Sequence, residues 1–179
     1  VAKVAYELGM LYRDLNDSHG ALTHFEQALD AARAAEDLQL AGLACYSLGS
    51  INLVVRDYEK AESYLDQFVT ISMIVNERDG AAIAYVDVAH AYANILDFST
   101  AQQWLLKSGP LLSPEADPNL RLMTYLGTGY SFLALGEPSL ALEYFEHALH
   151  VSQALNTEAL TANLHYCMGM ALMELDNVA

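Results

Sequence analysis

Apolar positions along the chain follow the spacing of helices that bury one face. Ala5, Leu8, Gly9 and Tyr12 fall at i, i+3, i+4 and i+7, which places them on one stripe of a helix. Polar residues then interrupt the stripe, and Ser18 is predicted to cap the next helix. No useful length of chain alternates apolar and polar residues as a half-buried strand would. The pattern therefore predicts an all-α chain.

The same reading extends to the end of the sequence, with short polar turns between helical stripes. The predicted helices run over residues 1–15, 18–35, 39–55, 58–75, 79–95, 98–108, 118–134, 138–154 and 158–175. Pro138 fits the first turn of its helix, where a missing N–H costs little. We therefore expect four helix pairs followed by one further helix.

Three sets of residues recur with a period of 40 residues. The small residues of the first set are Gly9, Gly49, Ala89, Gly129 and Gly169. The alanines of the second set are Ala21, Ala61, Ala101 and Ala141. The bulky residues of the third set are Phe25, Leu65, Leu105 and Phe145. We expect the small residues to let two antiparallel helices touch while the bulky ones fill the space beside them. Such internal repetition predicts a solenoid, a surface for holding a partner.

Two stretches give this repetition a family resemblance. Ala5-x2-Leu8-Gly9-x2-Tyr12, followed by Ala21, Phe25 and Ala28, resembles a tetratricopeptide repeat, and so does Gly129-x2-Phe132 followed by residues 141–149. The second repeat matches less well, with Asn52 and Phe68 at two motif positions. The third departs most, because Ser108-Gly109-Pro110 ends its second helix early. The 40-residue period is similar to that of bacterial regulator and scaffold arrays.

The resemblance implies a right-handed superhelical solenoid of antiparallel helix pairs. Its units would cover residues 1–38, 39–78, 79–117 and 118–157, with a terminal helix at 158–179, in one array spanning residues 1–179. In this family the first helix of each pair lines a concave surface. The binding residues expected there are Tyr6, Met10, Tyr46, Ser50, His90, Asn94, Leu126, Tyr130, Tyr166 and Met170. Two interpretations of this Tyr- and Met-rich lining stay open: a groove for a peptide, or packing of a tightly wound core.

Charge and cysteine content narrow the classes of partner. A net charge of −15 with only 8 Lys and Arg excludes nucleic acid, which needs clustered basic residues. The acidic surface is either simply solvated or attracts a basic partner. No apolar run is long enough for a membrane helix. Cys45 and Cys167 are expected to be buried thiols of a reducing, cytoplasmic protein.

Candidate chemistry is sparse. His147 and His150 lie one turn apart beside Glu143 and Glu146, a spacing that can hold a metal, but a surface position is favoured. His90 is the best single histidine for contact with a ligand. No catalytic set, phosphate loop or Cys/His cluster is visible, so we expect no cofactor, no metal and no enzyme. The basic and amide clamp of chaperone-binding relatives is not reproduced.

Two segments depart from the repeat. Residues 108–119 hold three prolines, at 110, 114 and 118, and are interpreted either as a decayed repeat or as a bend or docking loop. The last helix keeps four apolar residues on stripes that would meet a following helix: Leu164, Met168, Leu172 and Leu175. We interpret this as a fragment of a longer protein, with homodimers through exposed ends as a consequence.

The first hypothesis is a non-catalytic interaction module that binds an amphipathic or basic protein or peptide segment in its concave groove. The alternative is a sensory or regulatory segment of a larger bacterial signalling or transcription regulator, recognising a small molecule or short peptide. Flanking sequence would distinguish the two.

Overall fold

Antiparallel helices build the whole of the described chain. The structure is a computed structural model and describes residues 1–112 and 115–178. Within these ranges there are nine α-helices and no strand: α1 (Ala2–Asp14), α2 (Ser18–Ala34), α3 (Leu38–Val54), α4 (Tyr58–Ile74), α5 (Arg78–Asn94), α6 (Phe98–Ser108), α7 (Pro118–Ala134), α8 (Pro138–Ala154) and α9 (Glu158–Val178). The prediction of an all-α chain of helix pairs is confirmed. All predicted helices except the last agree with the structure to within one residue at both ends.

The chain divides into two compact units, Val1–Ala84 and Tyr85–Ala179. Unit 1 holds α1 to α4 and the start of α5, and its core includes Phe25 and Leu48, neither of which is exposed. Unit 2 holds the rest of α5 and α6 to α9, and Phe145 and Leu164 are its fully buried centre. The division into forty-residue repeats in one continuous array stays a prediction.

The recurring small residues lie where two helices of a pair touch. A Cβ atom built on Gly9 would lie 2.6 Å from Cδ1 of Phe25, and one on Gly49 would lie 2.5 Å from Cγ of Leu65. Helices this close exclude any side chain at the glycine, so the bulky residue of the partner helix fills the space. The alanine and bulky sets are buried throughout: Ala21, Ala61, Ala101, Ala141, Phe25, Leu65, Leu105 and Phe145. The predicted role of the three sets is confirmed.

Gly169, the last member of the small set, is the exception. No atom outside its own helix surroundings lies within 4 Å of a Cβ built there. The reason is that no helix follows α9 in the described part of the chain to face Gly169, as α8 faces Gly129.

An aspartate, and not the predicted Ser18, caps the second helix. The carboxylate of Asp17 accepts a hydrogen bond from the backbone N–H of Gly20 at 2.9 Å. The N–H of Asp17 also donates to the carbonyl of Tyr12 at 2.9 Å, which closes the preceding helix. The prediction was wrong by one residue because Ser18 already has helical backbone. The same capping bond recurs at Asp37, Asp57 and Asp97.

The residue before each of these capping aspartates adopts a left-handed backbone conformation. Seven residues spaced by multiples of 20 share it: Asn16, Glu36, Arg56, Asn76, Leu96, Gly136 and Asn156. Leu96 has φ of 64° and Gly136 has φ of 76°. A left-handed residue lets the chain reverse within three residues and satisfies the last carbonyls of the helix. This turn geometry, which recurs along the chain, keeps consecutive helices antiparallel.

The third pair is shortened, as its sequence predicts. Helix α6 ends at Ser108 after 11 residues, whereas α2, α4 and α8 each have 17. A short 3-10 turn over Gly109–Leu111 follows, and Leu112 is extended. Pro118 then opens α7, where Asp117 is the cap. Pro114 lies outside the described residues, so a bend or docking loop here stays a prediction.

Candidate functional site

Four of the predicted binding residues lie in unit 1, on α1 and α3. The ring of Tyr6 packs against Phe25 with ring centroids 5.3 Å apart, and its hydroxyl lies 3.3 Å from Oγ of Ser47. Tyr46 packs against Phe68 with centroids 5.2 Å apart. Met10 also packs on this core, and Ser50 is half-buried. These side chains are therefore held in place by core contacts, and each keeps part of its surface exposed.

Four more lie in unit 2, on α7 and α9. Leu126 and Tyr130 belong to α7, and Tyr166 and Met170 belong to α9. The hydroxyl of Tyr130 lies 3.0 Å from Sγ of Cys167 and accepts a hydrogen bond from Nδ2 of Asn163 at 3.3 Å. Helices α7 and α9 are thus adjacent at Tyr130. Tyr166 and Met170 lie three and seven residues beyond Asn163, so helical spacing predicts that they extend the surface around Tyr130.

This surface is apolar and open. We call it the first-helix face of unit 2 and define it by Met123, Leu126, Tyr130, Tyr166, Met170 and Met173. Tyr166 is 66% exposed and Met173 is 68% exposed. Met123 and Tyr130 are exposed as well. Tyr166 and Met173 are the most exposed of the six. Tyr130 also packs its ring against Phe145 with centroids 5.4 Å apart, and Leu126 packs on the core of unit 2.

His90 and Asn94 come from the C-terminal half of α5. A Cβ built on Gly127 would lie 3.8 Å from Nε2 of His90, so this imidazole lies beside α7 within unit 2. His90 is half-buried and Asn94 is exposed. The structure places His90 near the first-helix face of unit 2, one helix before it.

Burial and neighbours set the chemistry of the tyrosine on this face. Burial raises the pKa of the Tyr130 hydroxyl above its ordinary value, and the hydrogen bond with Cys167 acts in the same direction. The bond from Asn163 opposes the rise. The phenol is therefore protonated and uncharged at neutral pH. No Lys or Arg is among the six described residues that define the face, so it offers apolar contact and hydrogen bonds.

Some sequence expectations do not match the positions found. Leu164, expected to face a following helix, is fully buried in the core of unit 2. Val86, at the position equivalent to Tyr6 in the third repeat, is only 2% exposed. Leu172 is exposed, as expected. Leu164 and Val86 are both buried because the buried stripe of a helix is wider than the repeat register alone indicates.

A pocket in unit 2 was missed by sequence reasoning. It lies between α6, α7 and α8 and has a volume of about 310 Å³. Tyr125, Tyr144 and His147 form part of its wall, with Glu143 at its edge. The early end of α6, visible in the sequence, was the signal that could have pointed to it.

Both cysteines are free and buried, as expected. Burial raises the pKa of the Cys45 thiol above its ordinary value, while Arg33 acts in the opposite direction. Among the residues that the structure describes, no group of three or more His, Cys, Asp or Glu is placed to hold a metal. No helix in the described ranges has the length and apolar content to span a membrane.

Comparisons with known proteins agree with this architecture. The family model described as tetratricopeptide repeat matches residues 2–34. BtubC from P. vanneervenii is similar in structure, with a TM-score of 0.72 and 19% identity over 87% of this chain and 65% of that one. Apo RapI gives 0.76 and 15% identity over 98% of this chain and 66% of that one.

A third similar structure is a Rap protein complexed with competence and sporulation factor. Its TM-score is 0.70, with 13% identity over 98% of this chain and 53% of that one. The chain therefore spans less than two thirds of the length of these three structures. No curated protein sequence matches the chain significantly. The α1–α2 pair therefore matches the tetratricopeptide-repeat model by sequence, and the fold of the chain is similar to that of tetratricopeptide-repeat proteins.

Proposed function

We propose that this chain is a non-catalytic interaction module that binds a protein or peptide segment on the first-helix face of unit 2. The observation that carries the proposal is the exposure of Tyr166 and Met173 on α9, the helix whose Asn163 donates a hydrogen bond to the Tyr130 hydroxyl of α7. Large apolar side chains gathered on one exposed surface mark interaction sites in soluble proteins. Tyrosine supplies contact area with few rotatable bonds, and methionine adapts to irregular shapes.

The partner that fits this face is an amphipathic segment with basic residues. Its apolar side would cover the Met and Tyr side chains, because the six residues of the face carry no charge. Its basic side would meet the protein's net charge of −15. Complementary charge speeds the encounter and selects against acidic partners. The two buried thiols fit a reducing compartment, and we propose the cytoplasm.

The second candidate is a regulatory segment that recognises a short peptide. It is favoured by the similarity to a Rap protein that is complexed with competence and sporulation factor. Both candidates use the same surface, and they differ in whether the occupant belongs to a folded protein or is a free peptide. The residues at issue are the same, so one set of variants tests both.

Titration of the full chain with a synthetic helical peptide of leucine and lysine tests the proposal. Tyr166→Ala and Met173→Ala should each weaken binding about fivefold or more, since each removes an exposed anchor. Leu140→Ala is the matched control, because Leu140 is also an exposed large apolar residue but belongs to α8. The same peptide with glutamate in place of lysine should bind more weakly.

Equal loss with Leu140→Ala, or equal binding of the acidic peptide, would overturn the proposal. A second copy of the chain is the competing occupant of this face, and analytical ultracentrifugation of the unliganded chain shows whether it forms a dimer. If the chain forms a dimer and the Tyr166→Ala variant is a monomer, then this face binds a second copy of the chain and not a peptide.

A further inference from the structure

The pocket in unit 2 lies on a different side of α7 from the first-helix face. Thr124, Tyr125 and Thr128 of α7 line the pocket, whereas Leu126 and Tyr130 do not. Positions 124 and 128 are about one turn apart and share a side of the helix, and position 126 lies about half a turn away from that side. The pocket is therefore separate from the surface proposed above.

The shortening of α6 is what leaves this pocket open. In α2, α4 and α8 the corresponding helix continues for more than a turn beyond the position where α6 stops. In α6 the chain leaves the helix at Gly109–Leu111, and Pro110 and Leu106 form one wall of the space. A volume of 310 Å³ is at the small end of ligand pockets and suits one side chain better than a helix.

Aromatic rings form the opposite wall. Tyr125 and His147 have ring centroids 5.4 Å apart at an interplanar angle of 34°, and Tyr144 meets His147 at 73° with centroids 6.4 Å apart. The three rings that line this wall are thus inclined to one another. The faces of a Tyr ring have a negative electrostatic potential, so they attract a cation placed over them.

A carboxylate completes the pocket. Glu143 is exposed at its edge, and the described residues that line it include no Lys or Arg. Burial raises the pKa of the Tyr144 hydroxyl, and Glu143 and Tyr125 add to the rise, which agrees with a carboxylate close to the two phenols. The nearby cation of α6, Lys107, is engaged elsewhere, with Nζ 3.6 Å from the centroid of the Trp104 ring.

We propose that this pocket binds a lysine or arginine side chain of a partner peptide, held over Tyr125 and Tyr144 and paired with Glu143. The aliphatic stem of such a side chain suits the wall of Leu106 and Pro110. Its charged end suits the aromatic and acidic wall. The site goes beyond the proposed function, since it adds selection for one basic residue at a surface away from the first-helix face.

The test is nuclear magnetic resonance titration of the full chain with acetyl-Gly-Arg-Gly-amide. Acetyl-Gly-citrulline-Gly-amide is the matched control, because citrulline has the shape of arginine without its charge. The arginine peptide should give saturable shifts of the Tyr125 and Tyr144 ring protons. The citrulline peptide should bind with an affinity at least about fivefold lower. A lysine peptide shows whether the site prefers a guanidinium or an ammonium group.

Two variants on α8 decide the role of the carboxylate. Glu143→Gln should lower the affinity for the arginine peptide about threefold or more. Glu146 is exposed on the same helix but does not line the pocket, so Glu146→Gln should leave this affinity unchanged. Absent ring shifts, equal binding of the citrulline peptide, or equal losses in both variants would overturn the proposal. Tyr166→Ala should not change these shifts, so failure here and failure of the proposed function are distinguishable.

Discussion

Gly129 of α7 lies against the ring of Phe145 of α8, and a Cβ atom added to the glycine would lie 2.6 Å from Cε1. Phe145 is fully buried, so its ring has no free space into which to retreat. The contact explains why small and bulky residues recur together along this chain. It fixes the distance between the two helices of the pair.

Gly129→Ala should therefore destabilise the protein by about 1–3 kcal/mol, because the new methyl group overpacks the contact with Phe145. Chemical denaturation followed by circular dichroism measures the change. Gly169→Ala is the matched control at the same position of the repeat, where no atom beyond its chain neighbours and the nearby backbone of its own helix lies within 4 Å of the added Cβ. There alanine should be neutral or stabilise the helix by up to about 1 kcal/mol. Similar losses in both variants would contradict the packing argument.

The left-handed turn before each cap gives a second matched pair. Leu96 has φ of 64° and a side chain that is 75% exposed, so it carries backbone strain without a packing contribution. Leu96→Gly should stabilise the protein by about 0.5–1 kcal/mol, and Gly136→Ala should destabilise it by about 1 kcal/mol. Thermal denaturation of both variants measures the two signs. A loss of stability in Leu96→Gly would show that the leucine packs.

The aspartate caps predict a third difference. The carboxylate of Asp97 accepts a hydrogen bond from the N–H of Thr100 at 3.1 Å, whereas Glu137, at the same position before α8, makes no side-chain cap bond. Asp97→Ala should cost about 1 kcal/mol of stability, and Glu137→Ala should cost only a few tenths. The comparison uses urea denaturation. Equal effects would mean that the caps contribute nothing measurable.

The buried thiol of Cys45 predicts a pH effect. Because burial raises its pKa in the folded protein, the thiol stays protonated at alkaline pH where an unfolded cysteine has ionised. This contribution to stability is complete below the ordinary thiol pKa and is lost as pH rises through the folded value. Alkylation by iodoacetamide at alkaline pH should be slow in the native protein and fast in urea. Fast native alkylation would show that the thiol is accessible.

The helices could be predicted from the sequence because their positions depend on local stripes and on residues that recur at a fixed interval. Gly9 with Phe25 and Gly49 with Leu65 are found in the predicted contacts. Cap positions were harder, since Ser18 and Asp17 are both good caps and only the backbone decides between them. Asp17, Asp37, Asp57 and Asp97 recur every 20 or 40 residues, a signal that identifies the caps once it is noticed.

The candidate site could be predicted only in outline. The repeat register places Leu126, Tyr130, Tyr166 and Met170 on one side, and in the structure α7 and α9 meet where Asn163 donates a hydrogen bond to Tyr130. Exposure is not local, however, and Val86 at an equivalent position is buried. The pocket beside Tyr125 depends on how three helices meet around a shortened one. No single stripe of the sequence contains that information.

Methionine-methyl resonances report most directly on whether the first-helix face of unit 2 binds a partner. The chain has six methionines, of which Met123, Met170 and Met173 lie on this face, and Met73 is an exposed control on α4. Titration of methyl-labelled protein with the leucine and lysine peptide should shift the three resonances of the face together and leave Met73 unchanged. Shifts at Met73 as large as those at Met173, or no saturable shift at the face, would contradict the assignment of this surface as the binding site.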